Sequence, residues 1–332
     1  MTIQIALLGA GRIGKVHARA IAATPGVALA AVADAMPEAA EAISAAYGAP
    51  ALSIDQIEAD DSIAAVIICT PTPTHADLIE RFVKAKKAVF CEKPIDLSVE
   101  RVRACLDVVR AENGTLMLGF NRRFDPHFRA VRKAIDDGAI GDVEMVQIVS
   151  RDPAPPPPAY VMASGGIFRD MTIHDFDMAR FLLGEEIDSV MASASSLVDP
   201  EIGKAGDYDS ASIILTTASG RQCSISNSRR ATFGYDQRIE VLGSLGSVAA
   251  ENQRPVSIEI ANAKGFQRPP LYDFFMTRYV EAYAAEIAAF AAALQDGVPA
   301  SPGGDDGLKA LVIAEAALKS VREGRRVAIS EI

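Results

Sequence analysis

Through the first 120 residues, short apolar runs alternate with segments whose apolar residues recur every three to four positions. The runs at 3–8, 28–33, 64–69, 88–91 and 116–120 are nearly continuous in aliphatic residues, as in strands buried on both faces. The periodic stretches between them predict helices over 13–23, 37–47, 75–84 and 98–112. Such alternation is the pattern of a parallel sheet covered by helices. After residue 120 the pattern changes. A helix over 126–137, a strand over 143–149 and a helix over 170–183 precede strands at 211–217 and 222–228, in which polar and apolar positions alternate. A hairpin follows over 239–249, with Gly243 and Gly246 at its turn. This predicts a broad, mostly antiparallel sheet with one face open. Alanine-rich helices over 276–294 and 306–323 end the sequence, their apolar stripes reading as packing surfaces.

The chain has 332 residues, about two domains' worth, and is 49% hydrophobic, enough to build two cores. Its 33 Lys and Arg against 43 Asp and Glu leave a formal charge of −10, which argues against nucleic acid or an anionic membrane as partner. No apolar run approaches the roughly 20 residues of a membrane span, and the chain enters its first strand without a charged leader, so a cytoplasmic protein is expected. Cys69, Cys91, Cys105 and Cys223 form no C-x-x-C pair, against a disulfide framework or structural zinc site. The one biased run, DPAPPPPA at 152–159, predicts a stiff extended loop.

Directly after the first predicted strand stands Gly9-Ala10-Gly11-Arg12-Ile13-Gly14, the spacing G-x-G-x-x-G, opening a helix. The first glycine permits a tight turn, the second lets backbone approach a pyrophosphate, and the third lets helix and strand pack closely. Asp34 follows the last of them by 20 residues at the end of the second strand, where a carboxylate accepts from ribose hydroxyls and repels a 2′-phosphate. The expected cofactor is NAD. The expected fold is α/β: an N-terminal dinucleotide-binding Rossmann domain over 1–120, then an α+β domain over 121–332 with a large, mostly antiparallel open sheet.

Two further motifs end predicted strands, where open α/β sheets bind ligands. They are Thr70-Pro71-Thr72-Pro73-Thr74-His75 and Glu92-Lys93-Pro94. A third, Asp170-Met171-Thr172-Ile173-His174-Asp175-Phe176-Asp177, falls on a predicted helix that would set 170, 174 and 177 on one face. Spacing alone leaves a metal pair, an ion cluster or an acid/base assembly open, although the few other histidines do not cluster with this one.

Taken together, GAGRIG, CEKP, GFNRRFDP at 119–126, GGIFRDMTIHDFD at 165–177 and GYD at 234–236 resemble the glucose-fructose oxidoreductase / inositol dehydrogenase / MocA (Gfo/Idh/MocA) family over essentially the whole chain. The resemblance is strongest to its inositol-oxidising members. It implies NAD-dependent oxidation of a secondary hydroxyl of myo-inositol to scyllo-inosose by a homotetramer assembled through the open sheet. It makes Lys93, Asp170 and His174 the catalytic groups, with a cis bond before Pro94, and places Arg122, Asp152 and Tyr235 on the polyol. The glycine loop, Asp34, Thr70, Pro71, Thr72, His75, Glu92 and Lys93 would meet the cofactor. No metal is implied. The competing expectations are a relative acting on another inositol isomer or a sugar, and an NAD-binding sensor without turnover.

Overall fold

In the computed structural model, which describes residues 2–332, the chain divides into two compact units. The first comprises the chain up to Asp125 together with Val280–Leu311, and the second Pro126–Tyr279 with Val312–Ile332.

The first unit is built on five parallel strands, β1 (Ile3–Leu8), β2 (Val27–Ala33), β3 (Ala65–Ile68), β4 (Ala88–Cys91) and β5 (Leu116–Leu118), in the order β2-β1-β3-β4-β5. Ile5 to Leu8 and Ala65 to Ile68 are fully buried, as expected of strands covered on both sides. The chain builds outward from β1 to β2, then returns to the other side of β1 with β3, so the strand order switches beyond the carboxyl ends of β1 and β3. Open α/β sheets bind ligands at such a point.

A domain break was expected at 120/121, with both terminal helices in the second domain. Instead, helix Val280–Asp296 packs on helix Arg12–Ala23 and belongs to the first unit. The cause is its apolar stripe: Tyr283 meets His17 edge-on at 5.5 Å and Phe290 meets Phe90 at 5.8 Å, while buried alanines 282, 291 and 293 permit close approach.

The second unit holds β6 (Val143–Arg151), β7 (Ile187–Ser195), β8 (Ser210–Thr217), β9 (Gln222–Ser228), β10 (Asp236–Gly243) and β11 (Gly246–Ala250). A two-stranded ribbon, β12 (Ile260–Asn262) and β13 (Gly265–Gln267), stands apart from the main sheet, which β14 (Val327–Ala328) completes. Its order is β11-β10-β6-β9-β8-β7-β14, antiparallel throughout except between β6 and β9. Gly243 and Gly246 pair at the expected hairpin turn. Ala211, Ile213, Leu215, Cys223 and Ile225 are buried on one face, against which helix Ile173–Leu183 packs. Met145, Met191, Ile214 and Leu242 on the other face are 39 to 50% exposed.

Two local expectations change. Helix Pro158–Ser164 starts inside the proline run, because a proline in the first helical turn gives up an N–H that has no intrahelical partner. The helix expected over 170–183 is two helices, Ile167–Asp170 and Ile173–Leu183. The Thr172 amide reaches back five residues to the Ile167 carbonyl and thereby interrupts the regular ladder. Asp170 and His174 are therefore not on one continuous helix face.

Candidate active site

The glycine loop separates its three glycines by what surrounds them. Gly9 has φ +97°, and a Cβ there would lie 2.5 Å from the Cys69 carbonyl oxygen; one on Gly14 would lie 2.0 Å from the Gly9 oxygen. These two are required by packing. Around Gly11 a Cβ would meet nothing within 4 Å. Gly11 is also the N-cap of helix Arg12–Ala23 and offers no capping side chain, so the first-turn N–H groups beside Ile13 and Gly14 remain available to an anion. The loop thus fits a dinucleotide pyrophosphate, with Gly11 leaving room for the close approach.

Asp34 is fixed from two sides: Oδ2 accepts from the Ala10 N–H at 2.6 Å and Oδ1 from the Met36 N–H at 2.8 Å. A carboxylate has about four acceptor positions, so two remain for ribose hydroxyls. Asp34→Ala is expected to narrow the preference for NAD over NADP by at least about tenfold, since the repulsion of a 2′-phosphate disappears. Dissociation constants for both nucleotides check this; an unchanged ratio would remove Asp34 from the ribose site.

At the end of β3, the Thr70 and Thr74 hydroxyls lie 2.7 Å apart and Thr74 also donates to the Pro71 carbonyl, which tightens the TPTPT turn. His75 is buried and serves as a brace rather than an exposed cofactor ligand. Its Nδ1 lies 2.8 Å from the Pro94 carbonyl oxygen and its Nε2 2.7 Å from that of Thr70, joining the two strand-end loops. Burial pushes its pKa down against the pull of these two carbonyls.

Glu92 also turns inward. Its Oε1 lies 2.7 Å from Nε2 of the buried His17. Close by in charge terms is Glu286, fully buried on helix Val280–Asp296, with neither oxygen hydrogen-bonded among the described residues; burial first, then the charge of Glu92, pushes its pKa well above the usual carboxylate range. Lys93 follows Glu92, is half-buried, and is joined to Pro94 by a cis peptide. Arg122 is buried in the short turn Asn121–Phe124 of the same unit. Burial likewise raises all four thiols, Cys105 to about 12 and the others well above the ordinary thiol range, so none is a nucleophile at neutral pH.

In the second unit Asp170 ends its short helix with both oxygens engaged. Oδ1 accepts from the Tyr160 hydroxyl at 3.1 Å and Oδ2 from Nη2 of Arg229 at 3.2 Å. Nη1 of the same guanidinium lies 3.9 Å from Oδ2 of Asp152, so Arg229 brings together two of the acidic residues singled out from the sequence. Asp207 holds the entry to the segment: both its oxygens accept from the Ile167 N–H. Burial raises its pKa and the Asp170 charge adds to this, against the backbone donors and Arg229. Around His174, Thr172 donates to Oδ1 of Asn227 at 2.7 Å, and Nδ2 of Asn227 donates to Oδ2 of Asp175 at 2.8 Å. Tyr235 is buried edge-on against Phe274 and Tyr279. Among the described residues no group of three His, Cys, Asp or Glu side chains is arranged to hold a metal ion.

Tyr160, His17, Asn227, Arg229 and Glu286 carry no signal in local spacing, and sequence reasoning missed them. For Arg229 the sequence offers only a pair of arginines after a strand.

Two family models match the chain: "Oxidoreductase family, NAD-binding Rossmann fold" over residues 3–120 and "GFO/IDH/MocA C-terminal domain" over 128–249. The inositol 2-dehydrogenase of Rhizobium meliloti (strain 1021) is 67% identical over 330 residues, 99% of this chain and all of that protein. The chain belongs to the GFO/IDH/MocA oxidoreductase family. As a member it is an NAD-binding oxidoreductase, and the fit of the glycine loop to a pyrophosphate has its reason there. The myo-inositol 2-dehydrogenase of Thermotoga maritima is 41% identical, with 99% of each chain covered. A crystal structure of a myo-inositol dehydrogenase from Corynebacterium glutamicum superposes with a TM-score of 0.96 at 46% identity, again covering 99% of both chains. No helix among the described residues is long and apolar enough to cross a membrane.

Proposed function

We propose that this family member oxidises myo-inositol at carbon 2 to 2-keto-myo-inositol, as a cytoplasmic homotetramer. The observation that carries the substrate is the end-to-end match to the R. meliloti inositol 2-dehydrogenase. Bound at the glycine loop and Asp34, NAD supplies the hydride acceptor.

The protein's own groups account for the rest of the reaction. His174 takes the hydroxyl proton; its Nδ1 is buried, which leaves Nε2 to meet the substrate. Lys93, as ammonium, donates a hydrogen bond to the reacting oxygen and stabilises the negative charge that develops on it. Asp170, anchored by Tyr160 and Arg229, favours the imidazolium formed on His174. Arg122, Asp152 and Tyr235 orient the remaining hydroxyls. A neutral polyol offers no charge to grip, so orientation rests on such hydrogen bonds.

A panel of myo-inositol, scyllo-inositol, glucose and an acyclic hexitol with NAD tests the substrate. The expected result is a kcat/KM for myo-inositol at least about tenfold above the sugar and the hexitol, because a misplaced hydroxyl leaves buried polar groups unpaired at about 1–3 kcal/mol each. A preference for glucose or the hexitol would overturn the reading. The assembly rests on Met145, Met191, Ile214 and Leu242, an apolar set exposed on the uncovered sheet face. Light scattering at micromolar concentration is expected to report four chains, and a monomer would contradict it.

A further inference from the structure

Arg229 is a 2% exposed cation whose Nε has no acceptor among the described residues. A buried ion pair is a weak source of net stability, because desolvation offsets most of the attraction. Stability therefore does not explain why a guanidinium is sunk between Asp152 and Asp170. Its mount is rigid. Arg229 continues β9, a strand paired on one side with β6 and on the other with β8, and its N–H donates to the Asp209 carbonyl at 2.8 Å.

Two residues earlier on the strand stands Asn227. It accepts from Thr172 and donates to Asp175, the neighbours that bracket His174, and also donates to the Ser150 carbonyl at 3.3 Å. Alternate residues of a strand share a face. One strand end thus grips the segment 170–175 at three points: Asp170 through Arg229, and Thr172 and Asp175 through Asn227. This is the stretch in which the regular helix is interrupted, between Ile167–Asp170 and Ile173–Leu183.

We propose that Arg229 and Asn227 are positioning residues of the oxidation, which act from the end of β9 by orienting Asp170 and His174, with Arg229 also holding Asp152 as an acceptor for a substrate hydroxyl. Neither is assigned a contact with the reacting atoms. The proposal rests on the reading of Asp170 and His174 as catalytic groups. It separates two effects: Asn227 acts on the His174 segment alone and so on kcat, whereas Arg229 acts on Asp170 and Asp152 and so on kcat and KM together.

The test uses the full-length protein and whichever polyol the wild type oxidises fastest in the panel, so an error about myo-inositol does not affect it. Arg229→Met is expected to lower kcat/KM by about 30- to 300-fold with both parameters changed, and Asn227→Leu to lower kcat by about tenfold or more with KM within threefold. NADH affinity should stay within about twofold in both variants. Arg229→Lys keeps the charge without the planar fork and should recover about a tenth or less of the wild-type value. If Arg229→Met does not fold, Arg229→Lys and the double variant Arg229→Met/Asp152→Asn, which removes a cation together with an anion, decide the matter. The double variant should be at least about tenfold less active than Asp152→Asn alone. The proposal is overturned if folded Arg229 variants keep kcat and KM within threefold of their parents, or if every loss of activity simply follows the fraction of unfolded protein. Failure of the catalytic reading itself would look different: His174→Ala would then be fully active.

Discussion

Replacing His174 or Lys93 by alanine is expected to lower kcat by about 10²- to 10⁴-fold and leave the NAD dissociation constant within about twofold. The magnitude follows from the roles. On the proposed roles, loss of His174 leaves the hydroxyl proton to water, at a pH where water is a poor base. In the proposed mechanism the loss of Lys93 removes a charged donor from the oxygen on which negative charge develops, an interaction worth several kcal/mol. The pyrophosphate cradle at Gly9 to Gly14 involves neither side chain, so cofactor affinity and activity should separate. Stopped-flow turnover and NAD titration of each purified variant measure both quantities. Near-normal kcat in either variant would return that residue to a structural role.

The second large effect contrasts two glycines that the motif treats alike. Gly11→Val adds a Cβ that meets nothing within 4 Å, at a residue whose φ of −69° is ordinary for an L residue. What it fills is the approach to the helix N-terminus. NAD affinity should fall by at least about 100-fold, roughly 2.7 kcal/mol, with the melting temperature changed by no more than a few degrees. Gly9→Val meets a left-handed φ of +97° and the Cys69 carbonyl at 2.5 Å, and should destabilise the first unit by about 3 kcal/mol or more. Calorimetric binding and thermal melts distinguish the two. Normal NAD binding by Gly11→Val would mean that the cradle lies elsewhere.

The contrast also indicates what the sequence could and could not reveal. The glycine loop, β1 to β5 and the Gly243–Gly246 hairpin were legible because each depends on residues near one another in the chain, through turn geometry and the two periodicities of strand and helix. The interactions that shape the site are of another kind. Glu92 meets His17 across 75 residues and Asp170 meets Arg229 across 59, so nothing local marks which arginine of the 229–230 pair is buried. The same distance effect misled the reading of 170–177 as one helix: periodicity fits, but the pull of Asn227 on Thr172 and Asp175 accompanies a break that no propensity announces. Helix Val280–Asp296 was expected in the second domain rather than the first unit for a related reason. The Tyr283 and Phe290 stripe reads as a packing face, but only the fold shows that His17 and Phe90 are what it packs on.

The central claim is hydride transfer from carbon 2 of myo-inositol to NAD, and isotopic labelling tests it most directly. The wild-type protein is incubated with NAD and myo-inositol carrying deuterium at carbon 2, and the reduced nucleotide is examined by mass spectrometry. The account predicts NADH one mass unit heavier, formed in step with the ketone and more slowly than from unlabelled substrate. NADH without deuterium, or no NADH while another polyol is oxidised readily, would contradict it.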